Sequence, residues 1–291
     1  MRTRWSGIEI VGRSVDTLGE GPVWWAERDR LLRVDITAGL VRLLDVDTGS
    51  EDVLGFDGDV SAAVPRVGGG LVVAVDHRLL LVDAAGGVER EWATETDRPD
   101  NRFNDCRCDP GGDLWAGTMS RSRTPGQAGL YRLSGGRLTT VLSRTTLSNG
   151  MGWSPDGTTM YFIDSTTHTV DRLDRDPATG RVSGRRAWAH LDPAAGLPDG
   201  LTVDSEGGVW VALFGGGAVL RLDPDGRVTH RFAVPVTNPT CPAFGGPGLG
   251  TLFVTSARVR LDDAQLRAEP AGVVLAVETG FTGLPAHHFA G

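Results

Sequence analysis

The chain has 291 residues, of which 40% are hydrophobic, 23% charged and 7% aromatic, a composition that fits a folded globular protein and not a disordered one. Its net charge of -8, from 29 basic and 37 acidic residues, argues against a nucleic-acid backbone as principal partner. All 29 basic residues are arginine, so Schiff-base chemistry, a P-loop lysine and a Ser–Lys dyad are excluded.

The first twelve residues, MRTRWSGIEIVG, carry charge but no apolar stretch of the signal-peptide kind. Apolar runs such as residues 71–75 are far too short to cross a bilayer. Three cysteines, Cys106, Cys108 and Cys241, cannot pair completely. A cytoplasmic protein, in a reducing compartment and without a membrane partner, is expected.

Ile8, Ile10 and Val11 predict a first strand able to pair with the last strands near 273–277. Beyond it, a turn followed by a short apolar strand recurs six times, at 26–36, 66–76, 109–119, 154–164, 204–214 and 245–256. A second alternating strand ending in a Gly-containing turn follows each, at 39–49, 78–87, 128–136, 168–180, 217–226 and 271–280. No stretch of a dozen residues shows a helical stripe. Six four-strand units of about 45–50 residues predict an all-β six-bladed β-propeller filling 1–291 as a single domain. A β-sandwich of this length needs a linker that the sequence lacks, and a β-helix repeats at a shorter period.

The strand before each turn is the innermost of its blade. Six segments align there, 20–24, 60–64, 104–108, 149–153, 199–203 and 240–244, with first residues 40, 44, 45, 50 and 41 positions apart. Equivalent inner-strand positions ring the central channel, so Glu20, Asn104, Asn149 and Asp199 are expected to face one another. Two carboxylates and two carboxamides form a hard-oxygen set suited to Ca²⁺, Mg²⁺ or Mn²⁺ and tolerant of Zn²⁺. The competing expectation is that they cap strand ends and hold only channel water. Gly21, Gly150 and Gly200 follow three of them and imply positive φ or close backbone approach.

The segments LGEGPVWW (18–25), NRFNDCRCDPGGDLWAGTM (101–119), LSNGMGWSPDG (147–157), YFIDS (161–165) and LPDGLTVDSEGGVWVA (197–212) resemble the gluconolactonase/regucalcin family. So do FGG (244–246), FVTSA (253–257) and the terminal HHFAG. The resemblance implies a six-bladed propeller that opens a sugar lactone, such as gluconolactone, arabinonolactone or xylonolactone, with one divalent cation. That cation would be Ca²⁺ first, with Mg²⁺, Mn²⁺, Zn²⁺ or Fe²⁺ as the other ions of such a site. By the same resemblance Glu20, Asn149 and Asp199 are metal ligands, Asp199 also the catalytic base, and Arg102 and Asn104 the substrate contacts. The family's substrate-contacting Glu shortly after AGTM is absent: SRSR (120–123) stands there, with Ser122 nearest. A monomer or weak dimer is expected. Two other functions fit the resemblance: a non-catalytic calcium- or ligand-binding propeller of regucalcin type, and a lactonase or esterase acting on a non-sugar lactone.

Rival chemistries lack their signatures. GxSxG and HExxH are absent, no histidine lies in an aligned inner segment, and 245–250 lacks GxGxxG spacing. Cys106, Cys108 and Cys241 read as buried structural thiols, and the adjacent His287 and His288 point to opposite faces of an extended chain. Trp24, Trp115, Trp153 and Trp210 read as packing between blades, with Trp24 or Trp153 walling a channel mouth. Asp35, Asp76 and Asp164 read as braces for turn backbone, and Arg258 and Arg260 as a solvated pair.

Overall fold

A computed structural model describes residues 4–5 and 7–291, and side chains from residue 7 onward. It holds five antiparallel sheets of four strands and one of five, arranged as the six blades of a β-propeller. The inner strands are Gly19–Trp25, Val60–Pro65, Asn101–Cys108, Ser148–Trp153, Leu197–Val203 and Pro239–Gly245, here the inner strands of blades 1 to 6. Each touches the next, and the sixth touches the first, so the circle is closed.

The first strand closes it. Ile8–Val11 joins blade 6 outside Val274–Glu278, with Ile8 opposite Val277 and Ile10 opposite Leu275, the pairing that the sequence predicts. Every seam between blades is an apolar cluster. Blades 1 and 2 share Val34, Val41, Val60 and Val73, and blades 6 and 1 share Trp24, Leu31, Phe253 and Val274. The tryptophans serve these seams: Trp24 stacks on Phe253 with centroids 5.8 Å apart, Trp115 meets Trp153 at 6.3 Å, and Trp210 meets Phe244 edge-on at 5.5 Å. Burying such side chains contributes roughly 1.5–3 kcal/mol each.

Two carboxylate devices repeat. Asp35 accepts from the backbone of Thr17 and Leu18 at 2.8 and 3.1 Å, and Asp164 from Thr146 and Leu147 at 3.0 Å each. Asp76 accepts from Asp59 N at 3.3 Å. All three brace the chain as it enters an inner strand, as expected. In blades 3 and 5 a buried aspartate also gathers a tryptophan and an arginine: Asp109 takes Trp115 and Arg175, Asp204 takes Trp210 and Arg221.

One short helix, Asp263–Ala268, lies outside the repeat. Its capping box joins Asp262 Oδ1 to Gln265 N at 2.8 Å and Gln265 Oε1 to Asp262 N at 3.0 Å. At six residues it is too short to leave a helical period in the sequence. No helix among the described residues is long and apolar enough to cross a membrane.

Candidate functional site

Every inner strand breaks register near its axial end. The irregularities fall between Glu20 and Val23, Val60 and Ala62, Phe103 and Cys106, Ser148 and Met151, Pro198 and Leu201, and Pro239 and Pro242. A bulge leaves residues unpaired and turns their side chains out of the regular alternation. Asn104, Asn149, Asp199 and Thr240 lie inside such bulges, and Glu20 borders one. In blade 2 the bulged residue is Ser61, one position after the Val60 of the sequence alignment. Its hydroxyl donates to Phe103 O at 2.5 Å.

The glycines make the close packing possible by two routes. Gly21 has φ of +55°. A Cβ on Gly150 would lie 2.6 Å from Leu201 N and 2.7 Å from Asp199 O, and one on Gly200 would lie 2.3 Å from Cys241 Sγ. Blades 4, 5 and 6 therefore approach backbone against neighbour at the height of the polar ring.

Glu20, Arg102, Asn104, Asn149 and Asp199 all line one cavity of about 160 Å³ at this end of the channel. Each is less than a tenth exposed. Asn149 Nδ2 donates to Asp199 Oδ1 and, at 3.0 Å, to Ser165 Oγ. Asn104 Nδ2 donates to Ser148 O at 3.0 Å and to Asn149 Oδ1 at 3.2 Å, while its own Oδ1 accepts from Arg102 Nη1 at 2.9 Å. Asn104 thus commits both amide hydrogens to protein and offers the cavity only a lone pair. Arg102 Nη1 also donates to Phe103 O at 2.7 Å, and its Nε lies 3.6 Å from Asp59. Its Nη2 has no protein partner among the described residues and is free to meet a ligand.

Burial pushes the Glu20 carboxyl well above its usual range, and the charges of Asp199 and Asp105 push it further. Burial and then Asp105 do the same to Asp199, against the Asn149 hydrogen bond and the charges of Arg123 and Arg102. Neither carboxylate has an ion-pair partner among the described residues. Two buried acids without a contacting cation, flanked by carboxamide oxygens, fit a divalent ion through Glu20, Asn149 and Asp199. The Asn149 oxygen keeps a second lone pair for it. No three His, Cys, Asp or Glu side chains of the described residues form a metal-binding group, so such a site depends on the carboxamide.

Three residues at the site escape the sequence reading. Asp105, pushed up to about 6 by burial against the charges of Arg107 and Arg102, follows Asn104 in the same bulge. Strict alternation sends it to the opposite face, which is why spacing alone passes over it. Arg123 and Arg260 also line the cavity. Arg260 is exposed, as expected, but stands at the cavity mouth. Ser122 does not line it: its hydroxyl and N–H are tied to Asp100 Oδ2, the N–H at 3.0 Å.

The remaining candidates have structural places. All three cysteines are unpaired and buried, and burial raises each thiol pKa. Trp24 and Trp153 wall a second cavity of about 320 Å³ at the other end of the inner strands, with Arg107 and His287 in its lining. His288 Nε2 lies 3.6 Å from Glu27.

The sequence profile of the SMP-30/Gluconolactonase/LRE-like region matches residues 18–258. Regucalcin of Gallus gallus is 35% identical over 300 residues, 98% of each chain. Pentonolactonase XacC of Haloferax volcanii is 38% identical over 284 residues, 94% of this chain and 96% of the other. A crystal structure of regucalcin from Agrobacterium tumefaciens, a calcium-binding protein, superposes with a TM-score of 0.93 at 32% identity, covering 98% of this chain and 97% of that one.

Proposed function

The chain belongs to the SMP-30/gluconolactonase/LRE-like family, and on that premise we propose that it hydrolyses a sugar lactone to the free acid at the polar cavity, with one divalent cation. The observation that carries this reading is the convergence of Glu20, Asn149 and Asp199, from three blades, on the cavity that also holds Arg102. A lactonase 38% identical to the chain supports the reaction class. The calcium-binding relative supports Ca²⁺ as the first ion to test, ahead of Mg²⁺, Mn²⁺, Zn²⁺ and Fe²⁺.

Glu20, Asn149 and Asp199 would hold the cation, which when bound supplies a Lewis acid that acidifies water and polarises a lactone carbonyl. The protein's own groups do the rest. Asp199 accepts the proton of the attacking water through its carboxylate and returns it to the ring-opened alkoxide. Its hydrogen bond from Asn149 fixes the carboxylate plane, so the accepting oxygen is aimed before substrate arrives. Arg102 Nη2 donates to the substrate, and Asn104, whose oxygen holds Arg102 Nη1, keeps that donor in place. Asn104 acts mainly as a positioning residue.

A panel of aldonolactones and simple lactones, followed by acid release with and without EDTA, tests the reading. Turnover of sugar lactones that EDTA abolishes and Ca²⁺ restores is expected. Tight Ca²⁺ binding with no turnover of any lactone would move the protein to the regucalcin-type binding alternative. Turnover confined to non-sugar esters would change the substrate class.

A further inference from the structure

Two guanidiniums stand at the mouth of the cavity without an anionic partner among the described residues. Arg123 comes from the loop after the second strand of blade 3, and Arg260 from the loop after the second strand of blade 6. Neither side chain has a hydrogen-bond or ion-pair partner among the described residues. The contrast with the interior arginines is sharp, since Arg33, Arg175 and Arg221 are bound to Asp16, Asp109 and Asp204.

Both arginines are held by their loops. Arg123 has φ of +57° and Arg260 of +65°, a region costly for a side-chain-bearing residue and more frequent at functional sites. Arg123 N donates to Ser120 O at 2.9 Å, and Ser120 and Ser122 are both strapped to Asp100. Those donors hold the Asp100 carboxyl down to about 2, so the strap persists across ordinary pH. Arg260 lies over the ring of Phe214 at 5.9 Å, and Phe214 itself lines the cavity.

Like charges placed together at a partly desolvated mouth repel one another. Burial and the charge of Arg260 both lower the pKa of Arg123. The nearby acids do not relieve this by contact, because neither guanidinium bonds Glu20 or Asp199. Asp59 is engaged by Arg102 and Arg121. An anion bridging the two arginines would supply the missing partner, and the guanidinium fork matches carboxylate and phosphate oxygens.

We propose that Arg123 and Arg260 select a sugar lactone that carries an anionic group, carboxylate or phosphate, on a carbon other than the lactone carbonyl. The inference rests on the lactonase reading above and narrows its substrate class. It also places the protein after a reaction that oxidises an anionic sugar at its anomeric carbon, since that reaction supplies such a lactone.

The test compares kcat/KM for a neutral aldonolactone, an aldaric acid monolactone and a phosphorylated aldonolactone, at low and at physiological ionic strength. The wild-type protein prefers an anion-bearing lactone by about ten- to hundredfold, the range that a charge-assisted hydrogen bond supplies, and the preference shrinks as salt rises. Whether the carboxylate or the phosphate compound leads identifies the anion. R123Q and R260Q each lower the ratio of anionic to neutral kcat/KM about tenfold, through KM rather than kcat. Equal kcat/KM for neutral and anionic lactones, or a ratio that neither substitution moves, overturns the inference and leaves the lactonase reading standing. Hydrolysis of no lactone at all overturns the reading and the inference with it.

Discussion

Asn149 of blade 4 donates its amide hydrogen to the Asp199 carboxylate of blade 5, across a seam and 50 residues of chain. The bond couples a neutral side chain to a buried acid that Glu20 and Asp105 already crowd. Asp199 is therefore held in orientation before any ligand enters, as the role proposed for it requires.

Asp199→Asn keeps the size of the side chain and removes its ability to accept a proton. Turnover of a sugar lactone is expected to fall by about 10²–10⁴-fold, the usual contribution of a positioned base. In EDTA the melting temperature should hold or rise, because the repulsion between Asp199 and Glu20 is lost. An Asn variant retaining a tenth or more of the wild-type kcat would dismiss the base assignment.

Gly150→Ala places a methyl group 2.6 Å from Leu201 N and 2.7 Å from Asp199 O. The backbone of the neighbouring strand cannot yield as a side-chain tip does. Overpacking of this kind costs about 1–3 kcal/mol, and the displaced strand carries Asp199. Thermal unfolding should show the loss, and kcat should fall by more than stability alone explains. Gly135→Ala, where nothing lies within 4 Å but φ is +54°, should cost stability and leave kcat alone.

In the cation-free protein Asp105 contributes to the pH dependence of stability. Its carboxyl is pushed up to about 6 by burial, above the unfolded value near 3.9. The folded state then binds the extra proton, so this group's contribution is complete below about pH 4 and is lost as the pH rises through about 6. The loss is on the order of 3 kcal/mol at most. Denaturant unfolding in EDTA between pH 4 and pH 7.5 measures it together with the contributions of the same sign from Glu20 and Asp199, and Asp105→Asn should lessen that slope. An unchanged slope in the variant would assign the dependence to other groups.

The Asp204–Arg221 pair is nearly sealed from water, with side-chain exposures of 0% and 7%, and Asp204 also holds Trp210 Nε1 at 2.8 Å. Asp204→Ala leaves Arg221 buried without that partner and should cost about 3–5 kcal/mol. Asp225→Ala, which breaks the exposed pair with Arg227, should change stability by under about 1 kcal/mol. Chemical denaturation of both variants gives the contrast. Comparable losses would mean that burial does not set the strength of these pairs.

Much of the architecture is legible in the chain because propeller blades are local: each hairpin is written in consecutive residues, with glycine and aspartate at its turns and alternating apolar residues between. The spacing of Glu20, Asn104, Asn149 and Asp199 locates the polar ring for the same reason. The capped helix Asp263–Ala268 escapes because two turns leave no period to read, though Asp262 and Gln265 are its signature. Asp105 escapes because a bulge breaks the alternation from which its face is judged.

The sequence by itself determined the six-fold repeat, the closure of the ring by Ile8–Val11, and the polar residue types that the inner strands bring to the cavity, since each follows from period and residue type. Only the tertiary structure decided which hydrogen bonds Asn104 has to give away, that Ser122 is strapped to Asp100, and that Arg123 and Arg260 from blades 3 and 6 share one cavity mouth. Those facts depend on bulge geometry and on loops with positive φ. A one-residue change in where a side chain is aimed leaves no trace in hydrophobic periodicity.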